Sequence, residues 1–253
     1  MTHRADISAA AARSHVYAFL AQAFAEPEPA TLAWLQQALP AAESALTAIG
    51  ATESCAALAD VRREIDDLAD ERFAAAHHFV FGHLISGDCP PYEGEYGHAH
   101  IFQKTQGLAD NAGFLRAFGL APAPGIADRL DHISIELEFL HVLAAKEAYA
   151  LARGHGEERL AIVRDATRKY LNDHLGRWAP AFAARLESKA QDGPYAALAR
   201  LLAAFIAEDT LALNVAPVPA AAVPFQPEPD DQPAGCEGCS AAAIFSPAMR
   251  GEP

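Results

Sequence analysis

The stretch DHISIELEFLHVLAAKEA, residues 131–148, decides the fold class of this chain. Its apolar residues recur at spacings of three and four, which is typical of an amphipathic helix. At 100° per residue they form two stripes on a helical projection. We therefore predict a long helix over residues 126–153, ended by Gly154.

Polar residues of this predicted helix lie within or between its apolar stripes. His132 and Glu136 are four residues apart and can pair, while Asp131 lies at the edge of one stripe. Polar groups in a mostly buried setting need hydrogen-bond partners or a function. A structural hydrogen bond and a binding site both satisfy that requirement.

The helical period continues over most of residues 1–214, and no stretch reads convincingly as a strand. The sequence therefore predicts an all-α domain over 1–214, with a possible hinge between two halves at 121–125. The remaining predicted helices are one that ends at Pro27 and Pro29, a short one over 31–39 before Pro40, a long one through Leu58 to about Phe81, one capped by Thr105 that ends near Gly119, and three over 157–175, 179–189 and 194–214.

Residues 215–253 have a different composition. They contain eight prolines and no helical period, which indicates an extended or disordered tail. The tail carries Cys236 and Cys239 in a C-x-x-C arrangement. A zinc site needs four ligands, so this pair is a weak metal candidate and we expect it to have an incidental role.

A Pro- and Gly-rich loop at residues 87–100 contains the segment PPYEGEY, residues 90–96. Tyrosine offers a large contact area at low entropic cost, and carboxylates attract arginine or lysine. The loop is therefore either a binding element for a basic, partly apolar peptide or a surface loop that its aromatic residues anchor to the core. Its candidate residues are Tyr92, Glu93, Glu95 and Tyr96.

Composition limits the classes of partner. The formal net charge is −14, whereas phosphate binding needs a basic face, so nucleic acid is not an expected partner. No run of about 18 apolar residues is present, so we expect no membrane span. The N-terminus lacks the pattern of a secretory signal, and four cysteines do not make a disulfide scaffold in a chain of 253 residues. We therefore expect a cytoplasmic protein.

A metal site is the main chemical alternative. Glu138-x-x-His141 and Glu95-x-x-His98 have the spacing used by di-iron helical bundles, but the second pair lies in the loop rather than on a helix. Phosphate-binding loops and nucleophile elbows are absent from the sequence. No arrangement of catalytic residues can be argued from the sequence.

Three stretches resemble, in order, motifs of the TorD/DmsD/NarJ-like redox enzyme maturation proteins, which are cytoplasmic chaperones of molybdenum oxidoreductases. They are PPYEGEY at 90–96, DHISIELEF at 131–139 and YLNDHLGRWAPAFAARLES at 170–188. The resemblance covers roughly residues 7–214. The tail and the Gly- and His-rich second half of the loop depart from the family pattern, which leaves the client open.

The resemblance implies a single all-α domain of about ten helices that has no cofactor of its own. It also implies that this domain binds the apo catalytic subunit of a molybdenum enzyme of the DMSO reductase family. Many members also bind the basic twin-arginine signal peptide of that subunit, which suits an acidic protein. It also implies that Trp178 packs in the core. The family's functional residues correspond here to Tyr92, Glu93, Asp131, His132 and Glu136.

Two other functions remain open at this stage. One is a carboxylate- and histidine-bridged metalloprotein of the helical-bundle type, and the other is a structural subunit that stays in the mature oxidoreductase. The sequence also leaves open a monomer or a dimer, because halves exchanged across residues 121–125 would have the same sequence pattern.

Overall fold

The computed structural model describes residues 2–82, 88–96, 101–121 and 129–220. These residues form nine α-helices and one short 3-10 helix, Glu93–Glu95, and contain no strand. The predicted all-α fold is confirmed. The α-helices are α1 Thr2–Phe24, α2 Thr31–Ile49, α3 Thr52–Ile65, α4 Asp70–Phe81, α5 Ile101–Ala117, α6 Ile133–Ala152, α7 Glu157–Asp173, α8 Leu175–Ala190 and α9 Gly193–Ala212.

Helix α6 buries both of its apolar stripes. Leu137, Phe139, Leu140 and Leu143 are fully buried in the main core. Helix α1 packs along α6 on one side, and α7 packs against it as well, while α8 and α9 pack against each other. Trp178 is also buried in this core, as expected from the resemblance.

Helix α2 does not end before Pro40, so the predicted short helix over 31–39 is wrong. The helix continues to Ile49 with Pro40 on its exposed side. An internal proline costs about 3 kcal/mol because it removes one helical hydrogen bond and crowds the preceding turn. Burial of one continuous apolar stripe outweighs that cost, since Leu35, Leu39, Ala42 and Leu46 are all buried.

The predicted long helix that ends at Phe81 is also wrong, because α3 and α4 are separate helices. Asp70 and Glu71 lie in the first turn of α4, where carboxylates stabilise the positive end of a helix dipole. The start of α3 is capped by α9, because the Glu208 carboxylate accepts hydrogen bonds from the backbone N–H groups of Glu53 and Ser54, at 3.0 Å each.

Helix α6 begins at Ile133 and not at residue 126. His132 is its N-cap residue and accepts a hydrogen bond from the Ser134 N–H at 3.2 Å. The predicted positions of Asp131 and His132 relative to the apolar stripes are therefore wrong, because both residues precede the helix. Residues 126–128 lie outside the described residues, as does most of the predicted hinge at 121–125.

Smaller boundary differences have local causes. Helix α5 begins before Thr105, so that residue does not cap it. Helix α8 includes Pro180 in its second turn and begins at Leu175 rather than at residue 179. Pro180 lies beyond the first turn, so it removes one intrahelical hydrogen bond, and burial of the apolar residues around it, among them Trp178, Ala179 and Phe182, outweighs that cost.

The first residues after α9 contact α8. The Ala220 N–H donates to the Arg177 carbonyl at 2.7 Å, and the Arg177 side chain donates to the Val218 carbonyl at 3.3 Å. Residues 221–253, with Cys236 and Cys239, lie outside the described residues. Among the helices that the structure describes, none is both long and apolar enough to cross a membrane.

A buried ion pair joins the first helix, α1, to the last helix, α9. Arg13 of α1 donates two hydrogen bonds to the Asp209 carboxylate of α9, at 2.6 and 3.1 Å, and the Tyr17 hydroxyl donates a third at 2.6 Å. Arg13 also lies 3.5 Å from Glu147 of α6. Burial and the adjacent Asp209 carboxylate raise the pKa of Tyr17 well above its usual range.

We predict that Asp209→Ala lowers the free energy of unfolding by about 3–5 kcal/mol, because it leaves the buried Arg13 guanidinium without its main counter-ion. Urea denaturation followed by circular dichroism measures this change. The matched control is Asp165→Ala on α7, whose carboxylate is exposed and lies 3.4 Å from Arg168. Equal losses in the two variants would contradict the prediction.

Candidate partner-binding site

The two segments that the sequence singled out lie side by side. The Glu93 N–H donates to the Asp131 carbonyl and the Ile133 N–H donates to the Pro91 carbonyl, at 2.9 Å each. Tyr92 and His132 form the antiparallel bridge between these two bonds. This backbone pairing joins the PPYEGEY loop to the start of α6, and the same backbone groups cannot then extend the helix towards residue 126.

The buried Asp131 side chain stabilises the conformation of the loop. Its side chain is 3% exposed and accepts hydrogen bonds from the Gly94 N–H at 3.0 Å and from two nitrogens of Arg129, at 3.0 and 2.7 Å. A charged acceptor that receives bidentate arginine and a backbone N–H makes strong hydrogen bonds. Asp131 is therefore a structural centre of the site more than an exposed contact.

Arg129 lies across the outer part of the site. Its Nη1 donates to Glu95 at 2.9 Å, and its guanidinium lies over the Tyr92 ring, 4.7 Å from the centroid. Lys104 donates to the other oxygen of Glu95 at 2.9 Å. Burial alone would raise the pKa of Glu95, but the hydrogen bonds from Lys104 and Arg129 outweigh it and lower that pKa.

Glu93 points inward to a second polar group. Asn111 of α5 donates to Glu93 at 2.9 Å, and Nδ1 of His174 lies 3.0 Å from the same carboxylate. Nε2 of His174 lies 3.2 Å from Asp110. Burial lowers the pKa of His174, but the two carboxylates outweigh it, so the pKa is raised and the imidazolium form is favoured.

Glu136 is the innermost acid of the site. Its side chain is fully buried, and the Trp178 indole N–H donates to it at 3.0 Å. Burial raises the pKa of Glu136 well above its usual range, and the nearby Glu93 carboxylate raises it further. His132, which the sequence spacing allows to pair with Glu136, has its Nδ1 at 2.7 Å from the Ser134 hydroxyl.

The two tyrosines of the loop differ in exposure. Tyr96 is buried, donates to the Pro90 carbonyl at 2.9 Å and packs its ring against Trp178, with the centroids 5.2 Å apart. Tyr92 is half-buried, and its ring meets the His132 ring edge-on at 5.2 Å. Tyr96 therefore anchors the loop to the core, as expected if the aromatic residues have a structural role. Part of the Tyr92 surface is exposed and can contact a partner.

The seven predicted residues thus come together at one place but at different depths. Tyr96, Asp131, His132 and Glu136 are buried, and Tyr92, Glu93 and Glu95 are half-buried. Sequence reasoning missed the residues that pair with or donate hydrogen bonds to these carboxylates. Arg129 lies two positions before Asp131 and could have been found from that proximity, whereas Lys104, Asn111 and His174 carry no local signal that pairs them with the loop.

Residues considered as metal ligands do not form a cluster in the part of the chain that the structure describes. No group of three or more His, Cys, Asp or Glu side chains there is arranged to hold a metal ion. Glu138 is exposed, and His141 lies 2.9 Å from the Ser14 hydroxyl. Cys89 is buried, and burial raises its pKa to about 12. His98 lies outside the described residues.

We predict that Glu136→Gln becomes increasingly more stable than the wild type as the pH rises from its ordinary pKa of 4.5. The folded state raises the pKa of Glu136, so the folded protein binds this proton more tightly than the unfolded chain does. Wild-type stability therefore falls as the pH rises towards the folded pKa, whereas glutamine keeps the acceptor for Trp178 and cannot ionise.

Urea unfolding of both proteins between about pH 5 and 8 measures this margin. Glu138→Gln, on the exposed side of the same helix, is the control. A margin that does not widen with pH would show that burial does not hold a proton on Glu136.

The comparisons with known proteins agree with the resemblance. Residues 44–184, more than half of the chain, match the family described as nitrate reductase delta subunit. The chaperone protein TorD of Vibrio cholerae is 32% identical over 100 residues, which cover 40% of this chain and 44% of that protein. The chaperone protein TorD of Photobacterium profundum is 28% identical over 121 residues, which cover 46% of this chain and 54% of that protein.

The chain therefore spans about half the length of the curated relatives it matches. The family match contains the PPYEGEY loop, the start of α6 and the first part of α8, which are the segments that carry the resemblance. The expected relationship to TorD-like maturation proteins is confirmed, and the chain belongs to the nitrate reductase delta subunit family.

Proposed function

We propose that this protein is an assembly chaperone that binds the apo catalytic subunit of a molybdenum oxidoreductase before the cofactor is inserted. The observation that carries the proposal is the backbone pairing of the loop with the start of α6, which gathers Tyr92, Glu93 and Glu95 on one half-buried surface. An aromatic ring beside carboxylates complements a basic and partly apolar segment. The relatives named chaperone protein TorD support the same function.

The site is suited to binding rather than to catalysis. Its polar side chains are held in place by hydrogen bonds, since Asp131 accepts from the Gly94 backbone N–H and Glu93 accepts from the Asn111 side chain. A rigid surface of this kind lowers the entropic cost of capturing a peptide. We infer that the protein is not an enzyme and uses no cofactor of its own.

We further propose that the basic leader of the client is one of the segments bound, and that this happens in the cytoplasm before export. The net charge of −14 attracts a basic segment over a range set by the Debye length, about 8 Å at physiological ionic strength. The client would leave once its cofactor is in place, because folding around the cofactor removes the exposed segment.

A structural subunit of the mature enzyme is the second candidate, because the family description contains the word subunit. The two functions differ in one observable. A chaperone binds the apo catalytic subunit and not the cofactor-loaded form, whereas a structural subunit co-purifies with the loaded enzyme.

The direct test is co-expression with tagged catalytic subunits of molybdenum oxidoreductases from the same organism, in cells that can or cannot make the molybdenum cofactor. We expect the chain to co-purify with a subunit made without cofactor and to be absent from the loaded one. Co-purification with the loaded enzyme alone would support the structural subunit, and binding to neither form of any such subunit would rule out the proposal.

The site itself is tested by Tyr92→Ala and Glu95→Gln. We expect each variant to weaken binding of the apo subunit about tenfold, which corresponds to about 1.4 kcal/mol and is typical of one lost aromatic or charged contact. Glu43→Gln is the matched control, because Glu43 is exposed and paired with Arg62 at 2.7 Å on α2 and α3. Unchanged affinity of both site variants, measured by calorimetry, would place the binding surface elsewhere.

Asp131→Ala and His132→Ala are less informative, although both residues belong to the predicted site. Asp131 binds Gly94 and Arg129, and His132 caps α6. Loss of binding in those variants would follow from loss of the loop's shape as readily as from loss of a contact, so they require a parallel measurement of unfolding.

A further inference from the structure

Arg129 lies on the surface that the proposed function gives to a basic segment of the client. Its guanidinium makes two hydrogen bonds to Asp131, at 3.0 and 2.7 Å, and one to Glu95 at 2.9 Å. Its Cζ atom lies over the Tyr92 ring, 4.7 Å from the ring centroid. Bidentate carboxylate pairing combined with stacking on an aromatic face is the recognition that arginine makes and lysine cannot reproduce.

The fit of this guanidinium is close. A Cβ atom built on Gly94 would lie 2.9 Å from Nη2 of Arg129 and 3.2 Å from the Asp131 carboxylate, so the guanidinium lies directly against the loop backbone. The surface formed by Tyr92, Glu95, Asp131 and Gly94, which we call the arginine cradle, is therefore shaped for one planar cation.

We propose that Arg129 is an internal placeholder in the arginine cradle and that an arginine side chain of the client displaces it. This inference rests on the proposed function and adds to it a competitor that is built into the chain. The client's arginine would take over the hydrogen bonds to Asp131 and Glu95 and the contact with the Tyr92 ring.

The burial of the groups makes this exchange feasible. The Arg129 side chain is 30% exposed, whereas the Asp131 side chain beneath it is 3% exposed. Arg129 can therefore leave towards solvent, while the acid that it neutralises cannot. An empty cradle would leave the buried Asp131 carboxylate unpaired, which is costly, so the site is stable only with a cation in it.

The exchange also explains selectivity. Replacing one guanidinium by another conserves charge and hydrogen bonds, so the net gain comes from the rest of the client segment. A lysine would break the bidentate bonds to Asp131 without replacing them in the same geometry. The cradle should therefore distinguish an arginine-containing segment from the same segment with lysines.

The test compares Arg129→Gln with the wild type and with Arg62→Gln, which removes one positive charge from a partly exposed pair with Glu43 that is not part of the arginine cradle. The probe is a synthetic peptide with two adjacent arginines followed by an apolar run, and its counterpart carries two lysines. Binding is measured by calorimetry at a fixed salt concentration, and thermal melting of each variant checks that it is folded.

We expect Arg129→Gln to bind the arginine peptide about tenfold more tightly than the wild type does, since the loss of one charge-assisted competitor is worth at least one decade in affinity. The lysine peptide should gain less, and Arg62→Gln should match the wild type. Equal or weaker binding by a folded Arg129→Gln variant would overturn the placeholder and make Arg129 a fixed part of the site.

Two further outcomes are also decisive. If Arg129→Gln does not fold, Arg129→Lys is used instead, because it keeps the charge without the bidentate geometry. This variant should bind the arginine peptide more tightly than the wild type does. Equal or weaker binding overturns the inference. If neither the wild type nor a folded variant binds either peptide while the apo catalytic subunit still binds, the placeholder is wrong and the chaperone function stands.

Discussion

The hydrogen bonds between the PPYEGEY loop and residues 131–133 support everything else at this surface. They stop α6 from extending towards the N-terminus, because the Asp131 carbonyl and the Ile133 N–H are already paired with the loop. They also place the Asp131 carboxylate under the Gly94 N–H, where it orients Arg129. Two segments about forty residues apart thereby become one surface, and each needs the other for its conformation.

The carboxyl groups of the site differ in burial and in the residues that they contact. Glu136 is buried, burial raises its pKa well above the usual range, and its carboxyl group accepts a hydrogen bond from the Trp178 indole N–H. Glu93 lies against His174 and accepts a hydrogen bond from Asn111, whereas Glu95 forms ion pairs with Lys104 and Arg129. The charge that a partner meets is therefore set by which internal cations stay in place, not by the number of carboxylates in the loop.

Several of these features follow from the sequence, and others do not. The double apolar stripe of α6 predicts a core helix, and the alternation of tyrosine and glutamate at residues 92–96 identifies the loop. The start of α6 could not be placed from periodicity, since the loop's backbone and the cap at His132 decide it. Pro40 led to the wrong end for α2, because burial of the apolar residues on the other side of the helix outweighs the tendency of proline to end a helix. The pairing of His174 with Glu93 spans 81 residues and depends on how α8 packs, which no local pattern reports.

The central claim is that this loop is the surface that meets the client, and photo-crosslinking tests it most directly. A benzophenone side chain is placed at the half-buried position 92 and, as the control, at the exposed position 43, and each protein is irradiated with the apo catalytic subunit. The account predicts a covalent adduct from position 92 and none from position 43. An adduct from position 43 with none from position 92 would contradict it.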